Sequence, residues 1–330
     1  MPVRDAAATL GAAIDSVRAQ TETAWELIAV DDGSTDASPA LLRSYEARDR
    51  RIRVAVAPRR GLVAALNAGL AAGTAPFIAR MDADDIALPE RLDRQRRHLE
   101  SQPSVGLVAS RVVFDGDRAR GAGYARYVDW TNTLLTDAQI RLARFVESPF
   151  AHPSVMFRRG VVDRLGGYAD RHAPEDYELW LRWLDADVRM EKLPDALVRW
   201  RDRPDRLSRR DPRYSADAFD RVRARYLARW LAAHNPHHPA VVIWGAGRTG
   251  RRRARALAAH GVTVSAWIDI DPRKLGRRVD AAPVIPPDTL PAPGRCFVVS
   301  YVAAHDARHV IAAHLEQRGY RAGEHYLLAA

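Results

Sequence analysis

The hydrophobic positions in the first hundred residues predict alternating strands and helices. The run 27–30 is short, apolar and followed by two aspartates, which is typical of a buried strand leading into a loop. Before it, Leu10, Ile14 and Val17 recur at helical spacing, and a first-turn proline marks another helix from Ser38. A strand, a helix and a strand are then predicted at 53–57, 62–72 and 76–81. Repeated βα units favour a mostly parallel sheet, whose ligands gather at the carboxyl ends of the strands.

The amino end of the chain gives only part of a strand pattern. Met1, Pro2 and Val3 resemble the last residues of a strand, with too little chain before them to complete it. We expect a first strand that is stunted, or one that has residues upstream of this start.

Beyond residue 110 the pattern is less regular, until a second βα series begins near residue 240. An arginine-rich stretch predicts a loop at 201–212 and a helix at 214–233, and the turn at 235–239 is the plainest boundary. The later elements are predicted as strands at 241–244, 262–268 and 296–300 and helices at 251–259 and 306–317. The chain therefore reads as an α/β protein with a domain at 1–212, a helical linker at 213–239 and a smaller Rossmann-like domain at 240–330.

Composition fits two globular domains but sets limits on the partner. The 330 residues are 47% hydrophobic, and no apolar run approaches the roughly 20 residues that cross a bilayer. The net charge is +10, yet only Lys192 and Lys274 are lysine, and such an arginine bias can reflect genome base composition. Because the arginines alternate with acids, they indicate solvated helix faces, so an anionic small molecule or a membrane surface is favoured over nucleic acid. A single cysteine, Cys296, and the lack of a signal-peptide core predict a cytoplasmic protein.

Two acidic clusters follow two of the predicted strands. Asp31 and Asp32 form the first cluster, and Asp82, Asp84 and Asp85 form the second. Adjacent carboxylates repel one another, and a hard divalent cation such as Mg²⁺ or Mn²⁺ offsets that repulsion. The alternative is that aspartates at such positions only cap helices and turns. We favour capping for Asp36 and Asp85, and a functional role for Asp32, Asp82 and Asp84.

The motifs around these clusters resemble those of glycosyltransferase family 2. They are VDDGSTD at 30–36, GLVAALNAG at 61–69, DADD at 82–85 and LPERL at 88–92. The resemblance covers about residues 1–210. It implies a GT-A fold, a nucleotide-diphosphate sugar as donor, a bound Mg²⁺ or Mn²⁺, and inversion at the anomeric carbon.

The resemblance also assigns a nucleotide-sugar site residue by residue. It implies that Pro2 and Val3 line the base and that Asp32 accepts a hydrogen bond from it. It further implies that Asn67 and Arg80 flank the nucleotide, that Asp82 faces the ribose or the metal, and that Asp84 holds the metal.

The acceptor side of the site is implied by three further residues. Asp176 matches the ED motif of the family, which makes it the expected base for the acceptor hydroxyl, ahead of Glu175. Without the resemblance, both acids would read only as favourable residues at a helix start. His152 matches a segment near the acceptor. Arg203 stands where the family often has a histidine, and arginine cannot ligate a metal but can clamp a phosphate.

The carboxyl-terminal glycines form a second nucleotide-binding pattern. Gly245, Gly247 and Gly250 fit GxGxxG between a strand and a helix, and Asp269 ends the next strand. In such folds the glycines admit a pyrophosphate and the acid binds ribose hydroxyls, so NAD(P) or another nucleotide is the implied ligand. Only about 90 residues follow the linker, and we see no hydride-transfer set among them. A module that places or regulates the transferase is therefore favoured over a second enzyme.

The leading hypothesis is a metal-dependent inverting glycosyltransferase for surface polysaccharide or glycoconjugate synthesis. Its partners would be the sugar nucleotide and a glycan or lipid-linked acceptor, without nucleic acid. Peripheral attachment to the inner face of the membrane through basic surface is left open. The alternatives are an NAD(P)-dependent sugar-modifying enzyme or bifunctional protein, and a binding protein that has lost activity.

Overall fold

The computed structural model describes residues 1–57, 60–170 and 173–330, which divide into two compact units. Unit 1 comprises Met1–Ile140 and Pro149–Asp211, and unit 2 comprises Arg141–Ser148 and Pro212–Ala330. The helix Ala216–His234, treated as part of a linker in the sequence, is therefore part of unit 2. The assignment of a transferase role to one domain and a nucleotide-binding role to the other stays a prediction.

The α/β fold class is confirmed by the order of the elements. The strands are β1 (Pro2–Val3), β2 (Leu27–Asp31), β3 (Ile52–Val56), β4 (Phe77–Ala79), β5 (Ile86–Ala87), β6 (Val105–Asp115), β7 (Met156–Arg158), β8 (Arg189–Arg201), β9 (Ala240–Trp244), β10 (Thr263–Ile268), β11 (Arg278–Val279), β12 (Ala282–Ile285), β13 (Val298–Ser300) and β14 (Tyr326–Leu328). The helices are α1 (Ala7–Arg18), α2 (Ser38–Arg48), α3 (Leu62–Ala72), α4 (Arg91–Ser101), α5 (Ala122–Thr131), α6 (Asp137–Ala143), α7 (Arg159–Leu165), α8 (Glu175–Asp185), α9 (Leu207–Arg210), α10 (Ala216–His234), α11 (Arg248–Ala258) and α12 (His305–Gln317).

The sheets of unit 1 place both acidic clusters at strand ends. Strands β1, β2 and β3 form a parallel sheet, as the βα pattern predicts. A second sheet has the order β4-β7-β6-β8-β5 and is mixed, since only β6 and β8 in it run parallel. The first acidic cluster begins at the end of β2, and the second follows β4.

The predicted apolar faces are the ones that become buried. Helix α1 buries Leu10, Ile14 and Val17. Leu10 and Ile14 pack with Val3 and Ala29 of the parallel sheet, whereas Val17 packs with Met81 and Ala87. Helix α3 has the predicted bounds, and α2 begins at the predicted serine. The hydrophobic period therefore fixed these elements correctly, because their apolar side faces one core.

The structure adds a helix within the predicted loop at 201–212 and defines the segment at 151–157, for which the sequence predicted no element. The predicted loop at 201–212 contains the short helix α9, which buries none of its residues and so leaves no apolar period to detect. The segment at 151–157 is a 3₁₀ turn, His152–Ser154, followed by β7. Proline at the second position of that turn suits its start.

Unit 2 is built around one sheet with the order β11-β12-β10-β9-β13-β14. Its strands are parallel apart from the edge strand β11. The glycine loop follows β9, and α11 begins at Arg248, three residues earlier than the predicted 251. Gly245 has a φ of +112°, and a Cβ on Gly250 would lie 1.9 Å from the Gly245 carbonyl oxygen. Both positions therefore require glycine.

Among the described residues, the helices do not combine the length and the apolar character that a bilayer span needs.

The glycine loop gives a paired stability prediction. Gly250→Ala should lower the free energy of unfolding by at least about 2 kcal/mol, because the new methyl group meets backbone that cannot rotate away. Gly247→Ala is the control, since a Cβ there meets nothing within 4 Å and its φ is −76°. Its effect should stay within about 0.5 kcal/mol. Urea unfolding of both variants measures the difference, and equal midpoints would contradict the packing argument.

Candidate active site

Three aspartates directly after β4 form a cluster of carboxylates. Asp82, Asp84 and Asp85 each offer an oxygen, and these oxygens lie within 4.8 Å of one another. Burial and the charge of Asp82 raise the pKa of Asp84, and burial with both neighbours raises the pKa of Asp85 well above its usual value. The cluster thus concentrates negative charge where water cannot screen it fully.

Asp85 has two roles in this arrangement. One of its oxygens accepts a hydrogen bond from the backbone N–H of Arg201, the last residue of β8, at 2.8 Å. Its other oxygen is buried and has no hydrogen-bond partner among the described residues. Such an orphaned carboxylate oxygen, next to two more carboxylates, fits a hard cation such as Mg²⁺ or Mn²⁺. The sequence analysis placed only Asp82 and Asp84 at the metal, so Asp85 is an addition.

Arg80 is the cation closest to this cluster. Its buried guanidinium donates from Nη2 to Asp82 Oδ1 at 2.6 Å and from Nη1 to the Met81 carbonyl. Burial alone would raise the pKa of Asp82, but the charge of Arg80 holds it below its usual value. Asp82 therefore stays ionised, whereas burial and repulsion from neighbouring aspartates raise the pKa of Asp84 and Asp85.

His152 and Tyr168 form a buried polar pair near Arg80. The His152 Nε2 and the Tyr168 hydroxyl oxygen are 2.7 Å apart, and the two rings are 5.4 Å apart between centroids. Burial and the charge of Arg80 lower the pKa of His152 well below 6.5. The imidazole is thus neutral at physiological pH, and it can donate or accept one proton in the hydrogen bond to Tyr168.

Asp176 lies in the first turn of α8, which begins at Glu175 as the sequence indicated. Its Oδ1 accepts the backbone N–H of Tyr177 at 2.7 Å. Burial and the charge of Glu175 raise the pKa of Asp176 to about 8. A carboxylate with a pKa near the working pH is well suited to accept a proton.

Asn67 holds the backbone of Tyr168. Its Nδ2 donates to the Tyr168 carbonyl at 2.8 Å, and its Oδ1 accepts the Tyr168 N–H at 2.9 Å. The amide is thus already engaged on both sides, and it positions a member of the polar pair. Its predicted contact with the nucleotide stays a prediction.

The three residues expected at the base lie together at the ends of β1 and β2. Val3 pairs with Asp31, and the N–H of Asp32 donates to the Val3 carbonyl at 2.9 Å, so Pro2 and Val3 stand beside Asp32. Asp32 is only 3% exposed, and its Oδ1 accepts the N–H of Gly61 at 3.0 Å. Its other oxygen lies 3.6 Å from Arg4 Nη1. One carboxylate oxygen of Asp32 therefore faces the exposed side chain of Arg4 rather than a backbone donor.

Two arginines after β8 act on the acidic cluster. Arg203 donates from Nε and Nη2 to Asp205, at 3.0 and 2.8 Å, and its charge offsets part of the rise in the pKa of Asp84. Arg206, which the sequence analysis missed, stacks on Trp200 at 3.9 Å. Its charge helps to lower the pKa of Asp82 and offsets part of the rise in the pKa of Asp84 and Asp85. The sequence shows several arginines here but no period that would single out Arg206.

Arg91 is a second residue that sequence reasoning missed. It is 1% exposed, and its Nη2 donates to the carbonyls of Arg80 at 2.6 Å and Val155 at 3.3 Å. Its Nε donates to Gln95 at 3.1 Å. Burial and the charge of Arg80 lower its pKa to about 9. Arg91 therefore ties the residue before the acidic cluster to the segment that carries His152, and its position in the LPERL motif was the available signal.

An apolar cavity of about 310 Å³ lies near these residues but does not contain the acidic cluster. It is bordered by parts of β2, α3 and β4. Of the residues expected at the nucleotide, Pro2 and Arg80 line it. The chemistry of unit 1 is therefore gathered at the strand ends rather than in this cavity.

In unit 2, the predicted ribose-binding acid is already engaged. Asp269 follows β10, and its Oδ2 accepts the N–H of Ala246 at 3.0 Å and Nζ of Lys274 at 2.9 Å. Its Oδ1 accepts the N–H of Asp271 at 3.0 Å. The carboxylate thus braces the loop of Gly245, Gly247 and Gly250. A nucleotide at these residues stays a prediction, and a ribose would have to displace Lys274.

Comparisons with known proteins agree on one family. The model for glycosyl transferase family 2 matches residues 1–166. The amylovoran biosynthesis glycosyltransferase AmsE of Erwinia amylovora is 34% identical over 199 residues, which cover 60% of this chain and 72% of the relative. The O-antigen biosynthesis glycosyltransferase WbnJ of Escherichia coli is 30% identical over 193 residues, covering 57% and 72%. The structure of S. aureus TarS 1–349 in complex with UDP-GlcNAc has a TM-score of 0.54 at 14% identity, covers 78% of each chain and is similar in fold.

Arg91 gives a prediction about the support of the cluster. Arg91→Met should lower the free energy of unfolding by about 2 kcal/mol, because the Arg80 carbonyl and the side-chain oxygen of buried Gln95 lose a donor. Arg97→Met on the exposed side of α4 is the control and should change stability by less than about 0.5 kcal/mol. Thermal and urea unfolding measure both. If the two variants unfold alike, Arg91 does not hold the cluster in place.

Asp176 gives a prediction about stability and pH. Its pKa is about 8 in the folded chain and about 4 in the unfolded chain, so the unfolded chain loses this proton first and folding weakens as pH rises from about 4 to 8. Asp176→Asn removes that loss, and we expect Tm at pH 9 to rise by about 3 °C, or roughly 1 kcal/mol. At pH 4 the two proteins should melt within about 1 °C of each other, since the acid is then neutral. A variant that melts lower than the parent at pH 9 would contradict the buried-charge argument.

Proposed function

The chain belongs to glycosyltransferase family 2 and is a glycosyltransferase, and from that premise we propose a metal-dependent inverting reaction. In it, the sugar of a nucleotide-diphosphate sugar moves to a hydroxyl of a glycan or lipid-linked acceptor. The observation that carries the proposal is the partly buried cluster of Asp82, Asp84 and Asp85, where two of three carboxylates have raised pKa values. A structural cap would not need three converging carboxylates.

The three aspartates are proposed to hold Mg²⁺ or Mn²⁺ against the donor diphosphate. When bound, the cation would supply Lewis-acid stabilisation of the charge on the leaving nucleoside diphosphate. Arg80 keeps Asp82 ionised, and Arg206 adds positive charge on the side of β8. Arg203 is available as a phosphate clamp only if it leaves Asp205.

The base of the donor is proposed to bind where β1 and β2 end. Partly exposed Pro2 offers an apolar surface, and buried Val3 holds Asp32 beside it through its carbonyl. The Asp32 oxygen that faces Arg4 can accept a hydrogen bond. Arg80, two positions before Asp82, contacts the acidic cluster through its hydrogen bond to that aspartate. Asn67 contributes indirectly, by holding Tyr168 next to His152.

The acceptor is proposed to lose its proton to Asp176. In an inverting transfer, the bond from the anomeric carbon to the diphosphate oxygen breaks as the acceptor oxygen bonds to the opposite face. The acceptor proton passes to the Asp176 carboxylate, whose pKa of about 8 makes it a competent base. The Tyr177 N–H fixes one carboxylate oxygen, so the other is left for the proton. Neutral His152 can bond an acceptor hydroxyl without adding charge.

The biological product is proposed to be a surface polysaccharide or glycoconjugate. The names of AmsE and WbnJ assign those relatives to amylovoran and O-antigen biosynthesis. TarS 1–349 has been solved with UDP-GlcNAc. Nucleoside diphosphates with different bases are therefore the ligands with which to identify the donor.

The NAD(P)-dependent alternative has weaker support. It requires Asp269 to bind ribose hydroxyls, whereas its oxygens accept hydrogen bonds from Ala246, Asp271 and Lys274. Unit 2 is accordingly proposed as a module that places or regulates the transferase.

Two variants separate donor binding from chemistry. Asp84→Asn should abolish the rise in Tm that Mn²⁺ with UDP, GDP or dTDP gives the parent, because one ligand charge is lost. Asp176→Asn should keep that rise but reduce sugar transfer by about 100-fold or more, since only the base is removed.

Asp163→Asn, at an exposed position of α7, is the matched control and should keep both properties. Retention of the Mn²⁺-dependent shift by Asp84→Asn would remove the cluster from the mechanism. Full transfer by Asp176→Asn would remove the base.

A further inference from the structure

The net charge of the chain belongs to one unit. Unit 1 contains 31 basic and 31 acidic residues, whereas unit 2 contains 20 basic and 10 acidic ones, so the whole excess of +10 lies in unit 2. A bias from base composition alone would charge both units alike. An excess confined to one unit indicates a surface for an anionic partner.

Helix α10 carries part of this excess on one face. Arg221, Arg225 and Arg229 recur every four residues and are exposed, whereas Val222 and Tyr226 are buried. Residues four apart are neighbours on a helix surface, so the three arginines lie on one side of α10. Arg221 has no carboxylate partner among the described residues.

Helix α11 continues the same surface. Arg248, Arg251, Arg252 and Arg255 are its exposed basic residues. Arg252 joins the two helices, because it lies 3.2 Å from the exposed Asp217 and 2.6 Å from the buried Asp220, both on α10. The exposed faces of α10 and α11 therefore meet at this contact. We call their seven arginines the arginine face: Arg221, Arg225, Arg229, Arg248, Arg251, Arg252 and Arg255.

Basic residues outnumber acidic ones on α10 and α11. Asp217 is the one exposed acid on α10 and α11 within the described residues, and Arg255 has a distant partner in Asp280 at 3.5 Å. Seven cations with so few acids create a positive potential that draws in anions.

We propose that the arginine face docks unit 2 on an anionic membrane surface. The inference rests on the proposed function, since a transferase that uses a lipid-linked acceptor works at a bilayer. The seven exposed arginines lie on two helices that contact each other, and each arginine near an anionic leaflet strengthens binding about 5-fold. The aromatic residue between the arginines of α10, Tyr226, is buried, so the face has no stacking platform for unpaired bases.

Vesicle binding by the full chain tests this surface. Phosphatidylcholine vesicles that contain phosphatidylglycerol should sediment with the protein, and pure phosphatidylcholine vesicles should not. The triple variant R221Q/R225Q/R229Q should bind the anionic vesicles about 100-fold more weakly, because three charges leave the face while glutamine keeps the helix. Added salt should weaken binding of the parent in the same way.

The matched control removes the same charge from unit 1. Arg43, Arg48 and Arg50 are exposed, and the variant R43Q/R48Q/R50Q should bind vesicles like the parent. An equal loss in both variants would overturn the proposal, since net charge and not this face would then be responsible. Absence of vesicle binding by the parent would also overturn it, as would binding of duplex DNA that competes with the vesicles and is tighter.

The outcome is separable from that of the proposed function. The variant R221Q/R225Q/R229Q leaves unit 1 unchanged, so its Tm should still rise with Mn²⁺ and a nucleoside diphosphate. If this rise persists while vesicle binding is absent in the parent, only the docking surface is refuted.

Discussion

The repulsion among three carboxylates at the end of β4 is the constraint around which unit 1 is arranged. Asp84 and Asp85 are held close enough to raise their pKa values, which is unfavourable without a compensating cation. The fold tolerates this because Arg80 neutralises Asp82 and Arg91 anchors the backbone just before the cluster. Such stored electrostatic strain is usual where a protein binds a charged ligand, and it is the basis on which a cation and a donor diphosphate are proposed to bind here.

Burial and neighbouring charge also set the ionisation of Asp176, the base proposed for the acceptor hydroxyl. Asp176 is removed from water and placed beside Glu175, so its pKa approaches neutrality instead of remaining near that of a surface carboxyl. His152 is pushed the other way by the same burial and by Arg80, and it stays neutral. One buried arginine thus shapes the ionisation of three groups, keeping Asp82 charged, His152 uncharged and Asp176 within reach of ionisation.

The two units divide the electrostatics of the chain between them. Unit 1 is neutral overall and concentrates its charges in paired or clustered sites, whereas unit 2 carries the entire net positive charge. In unit 2, Asp269 is already bound by Lys274, so its glycine loop is braced from within. The exposed faces of α10 and α11 in unit 2 carry seven arginines and, among the described residues, one exposed acid.

The sequence by itself determined the features that depend on neighbours along the chain. The hydrophobic period placed α1, α3 and β2, and the acidic motifs marked which strand ends carry chemistry, because both signals are local. Only the tertiary structure decided which distant groups meet these motifs. Arg91, Arg206 and the pairing of Asn67 with Tyr168 act across the fold. No periodicity reports such contacts, since they depend on how separate elements pack. The same holds for the charge of the chain, whose sum was readable from the composition, but whose confinement to one unit required knowing which segments fold together.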